Sequence, residues 1–317
     1  MLPHIVAGLA LLPALALAQT YPDRPLRIVS PFSAGGPADV YARYLEQRLE
    51  KPLGQAVVVE NRVGAGGIIG ADAVAKAPAD GYTLLVMSNT HTINETLVPK
   101  KPYRLTVDLA PVAPINYSDL LLVVHPSVPA RSVTELVTYA KANPDKLNYA
   151  SSGTGTPYHL AGELFNSLAG TRITHVPHKE SSGARTSVLG GQVELMFDAI
   201  TVMARLAESG KVRALATSSR TRSQVTPSLP TVAEAGVPGF DAVIWLGIMA
   251  PAATPRPIVE RLNSEIRKII AADETAADFA KQGAVPMQMS AEEFGRFMQS
   301  DIDKWAKVIR ASGMKTD

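Results

Sequence analysis

Short apolar runs and amphipathic stretches alternate along most of the chain. The runs have the length of buried strands, and the stretches between them carry apolar residues at the three- and four-residue spacing of helices packed on a core. This alternation predicts an α/β protein. The strands are predicted at residues 26–29, 56–59, 83–87, 120–124, 147–150, 173–176, 193–198, 212–217 and 242–249.

The first predicted strand leads into a glycine-containing segment, PFSAGG at residues 31–36. Pro37 follows and begins an amphipathic run that we predict to be a helix. A proline at the first helical position gives up only an N–H that has no partner inside the helix. The free N–H groups and the positive end of the helix dipole should point at an anion. We therefore predict an anion-binding loop at this point.

A second segment of the same design, SSGTGT at residues 151–156, follows the strand predicted at 147–150. Pro157 again begins an amphipathic helix, and the side chain of Thr156 is suited to cap it. Neither segment contains lysine or arginine, so main-chain N–H and hydroxyl groups would hold the anion. Two such units, far apart in the chain, predict two domains whose helix N-termini face one cleft.

A third glycine-rich segment, residues 64–70, imitates a dinucleotide-binding fingerprint. Its spacing is one residue off that pattern, and no acidic residue ends the next strand to bind a ribose hydroxyl. We predict that these glycines allow close packing of a helix on a sheet. His91 and Asn94 come after the strand at 83–87, at the edge where open α/β sheets bind ligands, and are candidate ligand contacts.

The strand at 120–124 and the apolar segment at 242–249 are the predicted crossings between domains. The C-terminal helices then return to the first domain, which predicts a two-lobed binding protein that closes around a hinge. The first lobe would hold residues 19–122 and 246–317, and the second lobe residues 123–245. Capping boxes at 132–135 and 290–293, and a Thr254 cap, predict further helix starts.

The composition and the N-terminal segment exclude several classes of partner and chemistry. The 317 residues carry a formal net charge of +2, with the charges interspersed, so nucleic acid is not an expected partner. There is no cysteine, which excludes disulfides, thiol catalysis and cysteine-ligated metal. The apolar run at 5–18 ends in a small–x–small pattern and is shorter than the roughly 20 residues of a membrane helix. We expect residues 1–18 to be a signal peptide and the mature chain to be exported, without a membrane span.

Several motifs, in the same order along the chain, resemble one protein family. They are YPDRP at 21–25, PFSAGG at 31–36, VVENR at 58–62, GAGG at 64–67, DGYT at 80–83, YASSGTGT at 149–156, GGQV at 190–193, MFD at 196–198 and LPTVAEAG at 229–236. The family is that of the extracytoplasmic solute receptors of tripartite tricarboxylate transporters, also called the Bug family. The resemblance covers essentially the whole mature chain. It implies a periplasmic type II binding-protein fold and no catalysis.

The resemblance also implies where the ligand binds. In the family, a ligand carboxylate lies between the two glycine loops, held by main-chain amides and ordered waters. The position matching Asp198 lies near the distal part of the ligand, where it can meet an amino group. The contacts carried over to this chain are Phe32, Ser33, Ala34, Gly35 and Gly36 in one lobe, and Ser152, Gly153, Thr154, Gly155, Thr156 and His159 in the other.

The chain departs from the family pattern at two places that should border the distal half of the ligand. Residues 178–180 are HKE where relatives usually have YKG, and Glu95 replaces a usual proline. Lys179 and Arg185 are therefore candidates for meeting a second carboxylate. Relatives do not identify the ligand, and a dicarboxylate, a tricarboxylate, an aromatic acid and an amino acid all stay open.

Two other functions would use the same residues. A serine hydrolase would need Ser33 or Ser152 to act with His159 and Asp198, but the chain has neither a GxSxG elbow nor an HExxH zinc motif. A sensor would use the cleft to report a solute to a membrane signalling protein. The interpretation that fits best is a monomeric receptor, without cofactor or metal, that binds a small organic carboxylate and delivers it to membrane transporter subunits.

Overall fold

The computed structural model describes residues 21–314, which form two β-sheets flanked by helices. The strands of the first sheet are β1 (Leu26–Ser30), β2 (Val57–Asn61), β3 (Thr83–Ser88), β4 (Leu109–Ser118), β10 (Ile244–Pro251) and β11 (Ala284–Pro286). Those of the second sheet are β5 (Leu120–Val124), β6 (Asn148–Ser151), β7 (Thr174–Pro177), β8 (Leu195–Ala199) and β9 (Arg213–Thr217). Their spatial orders are β11-β4-β10-β3-β1-β2 and β7-β6-β8-β5-β9.

Helices cover both sheets. They are α1 (Pro37–Leu53), α2 (Ile68–Ala75), α3 (Asn89–Leu97), α4 (Leu105–Asp108), α5 (Val133–Ala142), α6 (Pro157–Ala169), α7 (Ser181–Leu189), α8 (Ile200–Glu208), α9 (Arg256–Ile270), α10 (Asp273–Ala280) and α11 (Ala291–Ser312). Strand β1 pairs in parallel with β2 and β3, and β6 pairs in parallel with β7 and β8. The two predicted loops therefore leave the carboxyl ends of parallel strands, the edge where such sheets bind ligands.

The chain passes between the sheets twice. It leaves the first sheet at the end of β4 and enters the second at β5, which occupies the strand predicted at 120–124. It returns between β9 and β10, and β10 overlaps the apolar segment predicted at 242–249. The lobe boundaries at 122/123 and 245/246 stay a prediction.

Strand β4 was not predicted, because it contains Pro111 and Pro114 and proline is disfavoured within a sheet. Both prolines face β10, where the register is irregular. Pro114 pairs with Gly247 and Pro111 with Met249, and the register shifts on the N-terminal side of each of these β10 residues. The bulges accommodate residues that cannot donate to the ladder.

Local sequence signals determine most helix starts. Pro37 and Pro157 begin α1 and α6, as predicted, and Ser132 and Ser290 cap α5 and α11 through their hydroxyl groups. The Thr254 cap is wrong. Pro255 occupies the cap position of α9 without a side-chain bond, and the buried Thr254 hydroxyl has no hydrogen-bond partner within residues 21–314.

Helices α3 and α11 tie the two sheets together. Leu97 of α3 and Trp305 and Ile309 of α11 are buried in the same hydrophobic cluster as Leu122 of β5 and Phe197 of β8. The N-terminal half of α11 packs instead on the first sheet, where Phe294 contacts Trp245 of β10. Residues 246–317 were predicted to belong to the first lobe. The last helix of this range, α11, also packs in the core of the second lobe.

Within residues 21–314, no helix has both the length and the apolar character needed to cross a bilayer. The predicted signal peptide at 1–18 lies outside the described residues.

Candidate ligand-binding cleft

The first loop, residues 31–36, connects β1 to α1 and is closed by its own hydrogen bonds. Gly35 has φ of +75°, a left-handed conformation that glycine adopts without strain. Its N–H donates to Oδ2 of Asp39, in the first turn of α1, at 2.9 Å. The Gly36 N–H donates to the Ser33 carbonyl at 3.2 Å. The loop is therefore held in shape from within.

The second loop, residues 151–156, connects β6 to α6 and repeats this pattern. Gly155 has φ of +78°, and its N–H donates to Nδ1 of His159 at 3.1 Å. The Thr156 N–H donates to the Gly153 carbonyl at 3.3 Å, and the Thr156 hydroxyl accepts from the His159 N–H. His159 thus holds in the second loop the place that Asp39 holds in the first.

The glycine N–H groups of both loops are taken up by hydrogen bonds within the loops, so they are not free for an anion. Gly35, Gly36 and Gly155 use their N–H groups inside the loops, and the Gly153 N–H donates to the Ser151 hydroxyl at 3.1 Å. Other main-chain N–H groups of the loops make no hydrogen bond within the described residues. They belong to Phe32, Ser33, Ala34, Ser152 and Thr154.

Helix α3 brings the two loops to the same part of the molecule. The His91 ring packs edge-on against Phe32 of the first loop, with ring centroids 5.8 Å apart. At the other end of α3, Leu97 lies so close to Gly155 that a Cβ added to this glycine would collide with the leucine side chain. Six residues separate His91 from Leu97, which is about 9 Å along a helix axis. Both loops therefore border one short helix.

Asp39 places a negative charge at the start of α1. Burial alone would raise the pKa of its carboxyl group, but hydrogen bonds from Gly35, Arg43 and Asn61 outweigh burial and lower the pKa. The carboxylate is therefore ionised at neutral pH and occupies part of the positive field at this helix end.

Neutral imidazoles support the second loop. The rings of His159 and His175 stack with their centroids 3.6 Å apart, and Nε2 of His175 lies 2.6 Å from the Ser151 hydroxyl. Burial, reinforced by His175, lowers the pKa of His159 to about 3, and burial with the nearby His178 lowers the pKa of His175 to about 4. An uncharged His159 can accept the Gly155 N–H and leaves the start of α6 without a negative charge. The sequence analysis did not nominate His175.

A cavity of about 590 Å³ lies between the lobes. The first lobe contributes Gly35 and Pro37, where α1 begins. The second contributes Tyr158, in the first turn of α6, and residues 199–202, where α8 begins. Asn116 and Asp119 line it where the chain passes between the sheets. Three helices therefore begin at one cavity, each with the positive end of its dipole there.

Several of these lining residues were not among the predicted ligand contacts. Tyr158 directly follows the proline that opens α6, and Asp198 directly precedes Ala199, the N-cap of α8. These positions beside helix starts were the available signal. A wider groove of about 830 Å³ lies along α9 and the start of α11, on the first lobe, and contains none of the predicted ligand contacts.

Comparison with known proteins identifies the family. A family model described as "Tripartite tricarboxylate transporter family receptor" matches residues 41–314. The chain belongs to this receptor family. Protein BugT of Bordetella pertussis is 39% identical to it over 311 residues, which cover 98% of this chain and 94% of BugT.

Solved structures of related proteins have the same fold as this chain. An R. palustris protein with adipate has a TM-score of 0.80 and 35% identity, covering 93% of this chain and 99% of that one. MatC from Rhodopseudomonas palustris with bound malate has a TM-score of 0.75 and 33% identity, covering 91% of this chain and 100% of MatC. The predicted two-lobed periplasmic binding-protein fold is confirmed.

In this receptor, Asp198 and Arg185 satisfy each other. The Asp198 side chain is fully buried; Arg185 donates to it from Nε and, at 3.2 Å, from Nη2. The Ala199 N–H also donates to Asp198, at 2.7 Å. The roles of both side chains as ligand contacts stay predictions, but neither is a free charge.

Of the predicted ligand contacts, Gly35 alone belongs to the lining of the cavity within the described residues. His91 and Asn94 lie away from it. His91 is fully buried and accepts the Ser88 N–H at 3.2 Å, while the Asn94 amide donates to the Gly66 carbonyl at 3.2 Å. Both support the glycine segment 64–70, whose Gly70 is packed so tightly on Pro31 that a Cβ would lie 2.7 Å away. The close-packing interpretation of that segment is confirmed.

The two departures from the family pattern differ in their surroundings. Glu95 pairs with the buried Lys101 at 2.8 Å and accepts the Leu105 N–H, so it has a structural partner. Lys179 is exposed and makes no ion pair within residues 21–314.

The hydrolase triad is not assembled in this receptor. His159 uses Nδ1 to accept the Gly155 N–H, and Asp198 is paired with Arg185. Ser151, which lies 2.6 Å from Nε2 of His175, is fully buried and belongs to neither proposed triad.

Proposed function

We propose that this protein is a periplasmic receptor that captures a small organic carboxylate and delivers it to the membrane subunits of a tripartite tricarboxylate-type transporter, without catalysis. A signal peptide at residues 1–18 would export it. The lobes formed by residues 19–122 with 246–317, and by 123–245, would close on the ligand at the crossings.

The convergence of three helix N-termini from both lobes on one cavity carries this proposal. The helix dipoles contribute about 0.3–1 kcal/mol each. Hydrogen bonds to a charged group contribute about 1.5–3 kcal/mol each, and the unpaired N–H groups of Ser33, Ala34, Ser152 and Thr154 supply such donors. The summed energy of three or four such bonds is comparable to a binding free energy of about −8 kcal/mol, which corresponds to a micromolar dissociation constant.

The nature of the related ligands agrees with this chemistry. The two R. palustris structures that resemble this chain contain adipate and malate, each a dicarboxylate. The paired Asp198 and the hydrogen-bonded His159 favour binding over hydrolysis, because neither is available as part of a proton-transfer triad.

Calorimetry with adipate, malate, citrate, benzoate and glutamate tests the binding step. We expect at least one acid to bind with micromolar affinity and to raise the melting temperature, since a ligand that binds only the folded state stabilises it. Ala34→Asp, which puts a carboxylate beside an unpaired amide, should lower that affinity at least about tenfold. The matched control is Ala253→Asp, on an exposed turn outside the cavity lining, which should leave the affinity unchanged.

The delivery step needs a separate measurement. Uptake of the bound acid by cells should fall when this chain is deleted and recover with the wild-type chain but not with Ala34→Asp. Absence of binding by every acid up to millimolar concentration, or turnover of a nitrophenyl ester, would contradict the proposed function.

A further inference from the structure

Two buried residues that line the interlobe cavity each have a polar side-chain atom without a partner among the described residues. Asn116 is 1% exposed and Asp119 is 3% exposed, and both line the cavity. Nδ2 of Asn116 and Oδ1 of Asp119 make no hydrogen bond within the described residues. Buried polar atoms are rarely left unpaired, because each loses its bonds to water without replacement.

The surroundings of Asn116 leave it a donor to spare. It lies on β4, opposite Leu246 of β10, and the Tyr41 hydroxyl of α1 faces its side chain. A carboxamide nitrogen carries two N–H groups. Even if Tyr41 engages one of them, the other is available to an acceptor in the cavity.

Asp119 offers the complementary atom. Burial raises the pKa of its carboxyl group, while the hydroxyls of Ser219 and Ser223 oppose that rise. These serines leave Oδ1 unpaired. Asp119 follows Asn116 by three residues, so their Cα atoms are at most about 10 Å apart.

We propose that Asn116 and Asp119 form a hydroxyl-recognition pair, so that this receptor prefers hydroxy acids to the matching acids that lack the hydroxyl group. A hydroxyl oxygen accepts one hydrogen bond and donates another, which fits one unpaired donor and one unpaired acceptor. A methylene does neither, a carboxylate only accepts, and an ammonium only donates. The inference rests on the proposed function, since it assumes that an organic acid occupies the cavity.

The other charges of the cavity agree with an acid that spans it. Arg205 of α8 and Lys281, beyond the end of α10, line the same cavity. Lys281 pairs with Asp278 at 3.0 Å, whereas Arg205 makes no ion pair within residues 21–314. The single carboxyl group of the lining, Asp119, is thus balanced by the unpaired Arg205, so the lining has no net negative charge to repel a carboxylate ligand.

Pairs of acids that differ by one hydroxyl group test the proposal by calorimetry: malate against succinate, and lactate against propionate. The wild-type protein should bind the hydroxylated member of at least one pair about tenfold to hundredfold more tightly, because the other member leaves buried polar atoms unpaired. Asn116→Leu, which keeps the branched shape and the number of side-chain heavy atoms, should bring the ratio close to one. Asp119→Ala should do the same, whereas Asp119→Asn keeps a side-chain oxygen and should retain most of the preference.

Asn263→Leu is the matched control, since Asn263 is a buried asparagine of α9 that bonds to Val112 and Met289 outside the cavity lining. Thermal unfolding of each variant shows whether it folds, and a variant that unfolds is replaced by Asn116→Ser, which should also lower the ratio. Carboxylate binding with no hydroxyl preference, or a preference that survives Asn116→Leu, overturns the inference and leaves the proposed function intact. Failure of every carboxylate to bind overturns both.

Discussion

The two glycine loops share a backbone design and differ in charge. In each, a left-handed glycine donates its N–H to the side chain four residues later, and the next residue donates to the carbonyl three residues before it. The side chain is the ionised Asp39 in the first loop and the neutral His159 in the second. The start of α1 is therefore partly neutralised by the protein itself, while the start of α6 is not.

Because of this difference, we expect the two lobes to attract an anionic ligand with unequal strength. An anion at the first loop meets N–H donors but also feels the Asp39 carboxylate, which Arg43 only partly compensates. An anion at the second loop meets N–H donors and the neutral His159 in place of Asp39. The carboxyl group of Glu163 lies one turn further along α6, 3.9 Å from Nε2 of His159. We expect the second lobe to contribute more of the electrostatic attraction.

The largest expected effect comes from adding a carboxylate to each helix cap. Gly36→Asp and Thr156→Asp should each lower the affinity for a bound organic acid about a hundredfold, since two like charges 4–5 Å apart repel by about 3–4 kcal/mol in a partly solvated site. Aspartate is a good N-cap, so both variants should fold. Calorimetry measures the losses, and Ser290→Asp at the cap of α11 is the control. An unchanged affinity in Gly36→Asp, with binding abolished in Thr156→Asp, would assign the anion to the second loop alone.

A smaller effect, on stability, should show that the two loops differ in how tightly they are packed. Gly35→Ala and Gly155→Ala impose the same left-handed strain, about 1 kcal/mol. No atom lies within 4 Å of a Cβ added to Gly35, whereas one added to Gly155 meets Leu97. Chemical denaturation should therefore give a loss of about 1 kcal/mol for the first variant and about 2–3 kcal/mol for the second. Equal losses of stability would mean that Leu97 of α3 makes room for the methyl group added at Gly155 without an energetic penalty.

The pH dependence of stability should separate the buried histidines from Asp39. His159 and His175 beside the second loop, and His91 beside the first, have lowered pKa values when folded. Their stabilising contribution is therefore complete above about pH 6.5, declines as the unfolded chain binds protons below it, and is lost by about pH 3–4. The lowered pKa of Asp39 contributes stability that persists until the pH falls below about 4. Between pH 6.5 and 4.5, thermal unfolding should show a loss of stability of up to about 2 kcal/mol for each of these histidines, and less where solvent screens the ring. His175→Gln should weaken this loss and Asp39→Asn should not; the reverse pattern would contradict the assignment.

The sequence predicts what local chemistry determines. Pro37, Pro157 and the glycines beside them mark the loops and helix starts, because proline and glycine restrict or release the backbone wherever they occur. Strand β4 escaped prediction because the bulges that admit Pro111 and Pro114 depend on the partner strand. Asn116 and Asp119 escaped because nothing next to them in the sequence indicates that their unpaired atoms line a cavity between lobes. For the same reason, the partners that occupy the glycine N–H groups were visible only once the loops were folded.

The contact of Leu97 with Gly155, together with the burial of Trp305 against the second sheet, also constrains how such a molecule can open. Separation of these contacts would expose apolar surface. We therefore expect the lobes to part first at a smaller contact, such as that of Gly283 with Ile200 and Thr201. A solute should then enter by rotation of one lobe about the side where Leu97 and Trp305 are packed, with the largest displacement far from that side.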